Sequence, residues 1–553
     1  MTHRMQIILI WLVALLMLSP WLYVQSQAML NGNVTWLLIA ADRMIHGAGM
    51  AQSIYETNPP LSILLYAPHI LVMNTLNLPP EIGPLTLTLT FILLSLTASS
   101  RILATFEYLN PLERHTLLIA QTAGLTYMSA IYFMDREHLM LMAMVPFLLA
   151  QIALTQEKKL KPALLWPVLI LGAIAILVKP QYGLLPAALL LHRMIAQNTL
   201  RIFKDPDFVA LSTMTVLYIA FVILVFPDYL NTILPDVLDY YLGSADKAQT
   251  LRLFKPHLIM YLVVLLFEVF MTDLEKPKKR LLVTLHSCAL LALIPLLVQM
   301  KGFYNHLLPA FALFVIALSL TIVFRLERYV FRNKAAKILP VLVPAAILGL
   351  VALKVKPAWN YPKGYEVRTL PVAKFLNENC PRPCTFFAFH SDIETMNPTA
   401  FYTGYTHGTR FPSYWFMPRM LWQMHLVEKG EPAALSPEKL EKDRQRFGLY
   451  AAQDLQNFKP DLLLIGTSID ILGQGDFLDY VDFFGASETF RETLAQHYEK
   501  TGTFEFDRAE YFRGTSLSRS LILTYDVYRR KNQESSGTPS SPADLKTNNA
   551  DPM

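Results

Sequence analysis

Ionisable residues interrupt this very apolar chain at a few places that could do chemistry. Asp42 and Glu56 lie in one polar stretch, Asp135-Arg136-Glu137-His138 forms a compact run, Lys179 precedes Pro180, and Lys301 and His306 bracket a short polar turn. A carboxylate in a loop at a membrane surface can act as general base towards an acceptor hydroxyl or amine, although an isolated loop acid is by default a solvated side chain. Lys179 sits between two short apolar segments, where a lysine facing lipid would cost about 3 kcal/mol, so it is expected to line a water-filled recess with an anionic partner. All these residues fall on one predicted side of a membrane, the pattern of a one-sided active site built into a bilayer.

The composition supports that setting. With 553 residues, 53% of them hydrophobic and 16% charged, and a mean hydropathy of +0.34, the chain is too apolar for a soluble enzyme. The formal charge of +5 resides in short loops between apolar segments, which sets membrane orientation and does not suit a nucleic-acid partner. Three cysteines exclude a disulfide scaffold or a cysteine-rich metal site. No Walker loop, dinucleotide fingerprint, His-Glu-x-x-His helix or Gly-x-Ser-x-Gly elbow occurs, and no internal repeat supports an inverted-repeat transporter.

About eleven spans are expected from hydropathy. The first, Ile7 to Leu18, could pass for a signal peptide, but no small-x-small site follows it closely. Trp21 and Tyr23 read as interfacial anchors, so it is taken as an uncleaved span starting in the cytoplasm. The others lie near 84–106, 115–133, 138–155, 163–178, 181–195, 207–227, 256–272, 281–299, 305–324 and 338–353. Basic loops around Lys158, Arg201, Lys278 and Arg328 are cytoplasmic by the positive-inside rule. Counting back from them makes Leu61 to Leu76, with Pro68 inside it, an interfacial or re-entrant helix on the outer side. A true span there, with another span false, is the alternative. Residues 163–195 read as a hairpin around Lys179-Pro180. The stretch from Pro227 to Lys255 is long enough for a lid, and a plain amphipathic surface helix explains it equally well.

These boundaries divide the chain into a transmembrane domain, 1–355, with a first outer loop at 25–83, an external α/β domain at 356–530, and a disordered tail at 531–553. In the external domain Cys380 and Cys384 flank Pro381-Arg382-Pro383, and an oxidising compartment permits them to pair, with two free thiols as the alternative.

The Asp42-Arg43-Met44 pattern, the Tyr55-Glu56-Thr57-Asn58-Pro59-Pro60-Leu61 segment, the Asp135-Arg136-Glu137-His138 run, the Lys179-Pro180-Gln181-Tyr182 turn and the Lys301-Gly302-Phe303-Tyr304-x-His306 motif resemble bacterial GT-C-type membrane glycosyltransferases. These form the protein mannosyltransferase and aminoarabinose transferase superfamily, and the likeness covers roughly residues 30–320. The resemblance implies a polyprenyl-phosphate-linked sugar as donor, transfer at the periplasmic face of the bacterial inner membrane, and inversion at the anomeric carbon. It implies a first-loop acid as base, for which Asp42 and Glu56 compete with Asp42 slightly ahead. A further acid is common in related sequences just before the position of Trp36, where this chain has Asn33, and an amide cannot serve as a base. Arg136, His138, Lys179, Lys301 and His306 are the cations that would face the donor phosphate. Asp135 and Glu137 would orient Arg136 and His138 or hold a divalent cation. The acceptor is left open among glycan, lipid and protein, and a non-catalytic transporter or binder of lipid-linked saccharides is the reading from another class.

Overall fold

An apolar segment in a bilayer must satisfy its backbone groups internally, and the long hydrophobic stretches fold as helices in the computed structural model. The structure describes residues 3–330 except 199, 243–245 and 272, residues 360–467, 479–513 and 520–531, and the single positions Ala346 and Gly349. Among the described residues six helical segments are long and apolar enough to cross a membrane: Gly83–Leu103, Arg136–Thr155, Pro206–Val225, Lys247–Phe270, Lys276–Gln299 and Tyr304–Glu327. The Arg136 and Tyr304 segments are 83% buried inside the protein, whereas the Pro206 and Lys247 segments are 11% and 17% buried. The first pair is therefore the interior of the bundle and the second pair its apolar outer wall.

The expected hairpin takes the form of the helices Pro162–Val178 and Leu184–Gln197, separated by the 3-10 turn Pro180–Gly183. Pro180 has no N–H to continue the helix, so Val178 ends it and Lys179 stands at the break. At about 1.5 Å per residue the first of these helices reaches only about 26 Å, which leaves Lys179 inside the protein, 5% exposed. Gly172 lets this helix close on the Arg136–Thr155 helix, since a Cβ there would stand 2.5 Å from Phe147. That approach brings the helices carrying Arg136 and Lys179 side by side. The segment from Leu61 to Leu76 is two short helices, Leu61–Leu64 and Ala67–Leu76, broken before Pro68. The expected span at 338–353 lies outside the described residues apart from Ala346 and Gly349, as does the expected disordered tail after Lys531.

Beyond residue 360 a five-stranded mixed sheet is built from β1 (Thr385–Phe389), β2 (Thr406–His407), β3 (Leu462–Gly466), β4 (Tyr498–Asp507) and β5 (Ile522–Arg530) in the order β2-β1-β3-β5-β4. β1 pairs in parallel with β2 and β3, and β5 pairs antiparallel to β3 and β4. The short apolar runs TFFAF and LLLIG are buried almost throughout, as central strands covered on both faces must be. The helix Ile393–Thr403 crosses from β1 to β2 and packs on the helix Gly32–Ile45 of the first loop. Gly32 is required at that contact, because a Cβ would lie 2.1 Å from the Ile393 carbonyl oxygen.

Cys380 and Cys384 are joined in a disulfide beside β1, with Cα atoms 5.9 Å apart, and Cys288 is a buried free thiol. Alkylation of the unfolded protein without reductant should therefore modify Cys288 and leave the other two untouched. Peptide mass spectra showing Cys380 and Cys384 alkylated would contradict the bridge.

Candidate active site

The site is assembled from three turns and a loop. Asn31 caps the Gly32–Ile45 helix by accepting the Val34 N–H, which places Asn33 and Trp36 one turn apart on the same face. The Trp36 indole donates to Glu56 Oε2 at 2.9 Å. The other oxygen of Glu56 accepts from the Thr57 hydroxyl at 3.1 Å, the Asn58 N–H at 3.1 Å, the Asn58 amide at 2.6 Å and Arg136 at 3.3 Å. Arg136 also donates to Asn33 Oδ1 at 3.2 Å, and Asn33 Nδ2 donates to Asp135 Oδ1 at 3.0 Å. Asn33 thus bridges a cation and an acid with the two ends of one amide.

Successive residues in a helix fan out by about 100°, so Glu137 points away from Arg136 into a second group. It pairs with Lys179 at 3.0 Å and with His306 at 3.5 Å, and accepts from the Asn305 amide at 3.3 Å. Tyr182, three residues after Lys179, donates to the His306 carbonyl at 2.9 Å and fixes that turn to the hairpin. Glu56, Asp135, Arg136, Glu137, Lys179 and His306 are all less than a tenth exposed. Removing one member of such a buried set leaves an opposite charge stranded.

The other expected residues stand elsewhere. Asp42 is nine positions from Asn33, about 13 Å further along the helix and on its opposite face. Its side chain is half exposed, and its ion-pair partner is His46 at 3.6 Å. His138 has both ring nitrogens committed to backbone, accepting the Met134 N–H at 3.0 Å and facing the Leu125 carbonyl at 2.8 Å. It shapes the turn before Asp135 and is turned away from the cation group. Lys301 donates to the Tyr241 carbonyl and lies over the Tyr241 ring at 4.0 Å, at the end of the expected lid. Asp135 and Glu137 do not converge on a shared point. Glu137 is taken up by Lys179, His306 and Asn305, so the Lys179 ammonium already occupies the place a divalent ion would need. Among the described residues the three groups that could hold a metal together are Cys380, Cys384 and Asp461, and the cysteines there are disulfide-bonded.

Several residues that matter to the site carried no clear signal in the sequence. Arg43 donates to the carbonyls of Ser53, His407 and Thr409 and lies 5.5 Å from the Trp36 ring, so it ties the first loop to the C-terminal region. Arg410 donates to the Ala51 carbonyl at 2.9 Å and pairs with buried Asp454 at 2.7 Å. The first part of the stretch from Pro227 to Lys255, helical over Tyr229–Tyr241 with wide π-type turns, is fastened by Arg446 to Asp236 at 2.6 Å and by the Tyr240 hydroxyl to Asp443 at 2.6 Å. Glu394 accepts the Gly32 N–H at 2.6 Å, and burial pushes its carboxyl up to about 7 against that hydrogen bond. The partners that cross between the two parts of the chain, such as Glu394 with Gly32, Arg43 with Thr409 and Arg410 with Ala51, lie hundreds of residues apart, and a single sequence carries no register that would pair them.

No protein-family model and no curated protein matches the chain in sequence. Solved structures do. ArnT from Cupriavidus metallidurans, crystallised bound to undecaprenyl phosphate, superposes with a TM-score of 0.50 at 12% identity, over 95% of this chain and 98% of that one. The mycobacterial arabinofuranosyltransferase AftD, in a mutant form, gives 0.45 at 13% identity over 96% of this chain and 42% of the AftD chain. The fold is that of the GT-C glycosyltransferases.

The buried pair sets a stability test. Glu137→Gln leaves Lys179 without its counter-charge and should destabilise the protein by about 3–5 kcal/mol, lowering the thermal midpoint in detergent. Adding Lys179→Met to that variant should restore most of the midpoint. Equal midpoints for the wild type and Glu137→Gln would show that the pair does not hold the charges as described.

Proposed function

We propose that this protein is a membrane glycosyltransferase that moves a sugar from a polyprenyl-phosphate-linked donor to an acceptor on the periplasmic face of the bacterial inner membrane, with inversion. The observation that carries the reading is the two buried cations near the helix break, Lys179, with the His306 ring beside it at Glu137, and Arg136, paired with Glu56. Arg136 keeps a buried Nε–H with no partner among the described residues, a donor available to an anion. When the bond between the sugar and its lipid phosphate breaks, charge develops on the departing phosphate oxygen. Fixed cations in a site shielded from water stabilise that charge more than they would in bulk solvent.

The shared fold supports this reading, since the ArnT structure holds undecaprenyl phosphate. The orientation follows from the basic loops, which put Lys158 and Lys278 in the cytoplasm and the cation group and external domain opposite. Eleven spans fit that arrangement. A single displacement at the anomeric carbon requires one base and one stabilised leaving group, and it inverts configuration. Asn33 and the fully engaged Glu56 favour one competing reading, a protein of the same fold that binds the lipid carrier without transferring sugar.

Transfer assays in detergent decide between them. With a radiolabelled polyprenyl-phosphate sugar and a membrane extract of acceptors, the wild type should release polyprenyl phosphate and label a product. Lys179→Ala should raise the KM for the donor about tenfold or more, the value of one charge-assisted hydrogen bond, with a smaller change in kcat. Binding of undecaprenyl phosphate without any release of label would favour the non-catalytic carrier protein.

A further inference from the structure

We infer that Asp135 is the catalytic base of this transfer, an inference that rests on the glycosyltransferase reading above. A base needs a carboxylate oxygen that is not already held by cations and that lies about one sugar ring from the phosphate-binding cations, on the face from which the acceptor attacks and opposite the departing phosphate. Glu56 fails the first condition, since five donors, Arg136 among them, surround it. Glu137 fails it as well, because Lys179 and His306 flank it. Asp42 fails the second. Asp135 is buried beside the site and is engaged by the amide of Asn33, with no cation within ion-pairing distance among the described residues. Amide partners leave a carboxylate more able to take a proton than guanidinium or ammonium partners do.

The backbone around Asp135 supports the assignment independently. Asp135 occupies the N-cap of the Arg136–Thr155 helix, where an aspartate ordinarily accepts a backbone N–H of the first turn. Here its side chain makes no such bond and turns to Asn33 instead. The preceding residue, Met134, adopts φ +67°, a conformation that a non-glycine side chain holds only when its surroundings fix it. They do so from both ends, His138 accepting the Met134 N–H and the Tyr66 hydroxyl donating to the Met134 carbonyl at 2.6 Å. His138 and Tyr66 are therefore positioning residues for the Asp135 carboxylate. Asn33 holds that carboxylate against Arg136, which keeps base and phosphate-binding cation in one unit.

In the reaction the acceptor oxygen or nitrogen forms a bond to the anomeric carbon while its proton passes to an Asp135 oxygen. The bond from that carbon to the phosphate oxygen breaks, its electron pair stays on the phosphate, and Arg136 and Lys179 face the resulting dianion.

The test uses the full chain in detergent, with a radiolabelled polyprenyl-phosphate sugar and a membrane extract for transfer and undecaprenyl phosphate for binding. Asp135→Asn should lower kcat by about 10²- to 10⁴-fold while undecaprenyl phosphate binds within about threefold of the wild type. Asp135→Glu keeps a carboxylate and should retain measurable transfer, with the acid limb of its pH profile displaced. Asp135→Asn working at more than a tenth of the wild-type rate would overturn the assignment. So would a parallel loss of undecaprenyl phosphate binding in Asp135→Asn and Asp135→Glu, which would make the residue a binding group. A wild type that transfers nothing would instead overturn the glycosyltransferase reading, and the base with it.

Discussion

The structure is organised around the cost of keeping Lys179 and Arg136 away from bulk water. Each cation is less than a tenth exposed, and a buried charge persists only beside an opposite charge with further polar support. Glu137 supplies that charge for Lys179, with Asn305 and His306 completing its shell, and Glu56 supplies it for Arg136, held in place by Trp36 and Asn58. Each of these contacts requires an element to be where it is. The helix must break at Pro180, the Arg136 helix must begin where it does, and the first loop must fold back on its own Trp36. The proposed chemistry uses the same charges, since a lipid phosphate entering the site would meet cations already desolvated and oriented.

The C-terminal region beyond residue 360 completes the site. Glu394 binds the N-terminus of the helix that carries Asn33, Tyr402 accepts the Leu30 N–H, and Arg410 and Arg43 bind carbonyls across the same boundary. On the other side Arg446 and Asp443 secure the helical segment Tyr229–Tyr241, whose end reaches Lys301. The domain therefore positions residues that belong to the membrane part, and damage to its docking surface should be felt in the site.

Much of this was legible in the sequence because it rests on local rules. Hydropathy marked the helices, Pro180 marked the break at Lys179, and two short apolar runs marked β1 and β3. The charged motifs were legible as a group, and the structure brings Glu56, Asp135, Arg136, Glu137, Lys179 and His306 together. Their individual partnerships were not, because they depend on which way a side chain leaves its helix. About two and a half turns of helix put Asp42 on the face opposite Asn33, and one turn of backbone commits His138 to Met134 and Leu125. Arg43, Arg410 and Glu394 were invisible because their partners lie in the other domain.

The most direct test of the central claim is a structure of the protein with undecaprenyl phosphate bound. The account places the phosphate among Arg136, Lys179 and His306, with the Arg136 Nε–H engaged and the Asn33–Asp135 hydrogen bond retained beside it. A phosphate bound elsewhere, with the Lys179–Glu137 and Arg136–Glu56 pairs untouched and closed to the ligand, would contradict it.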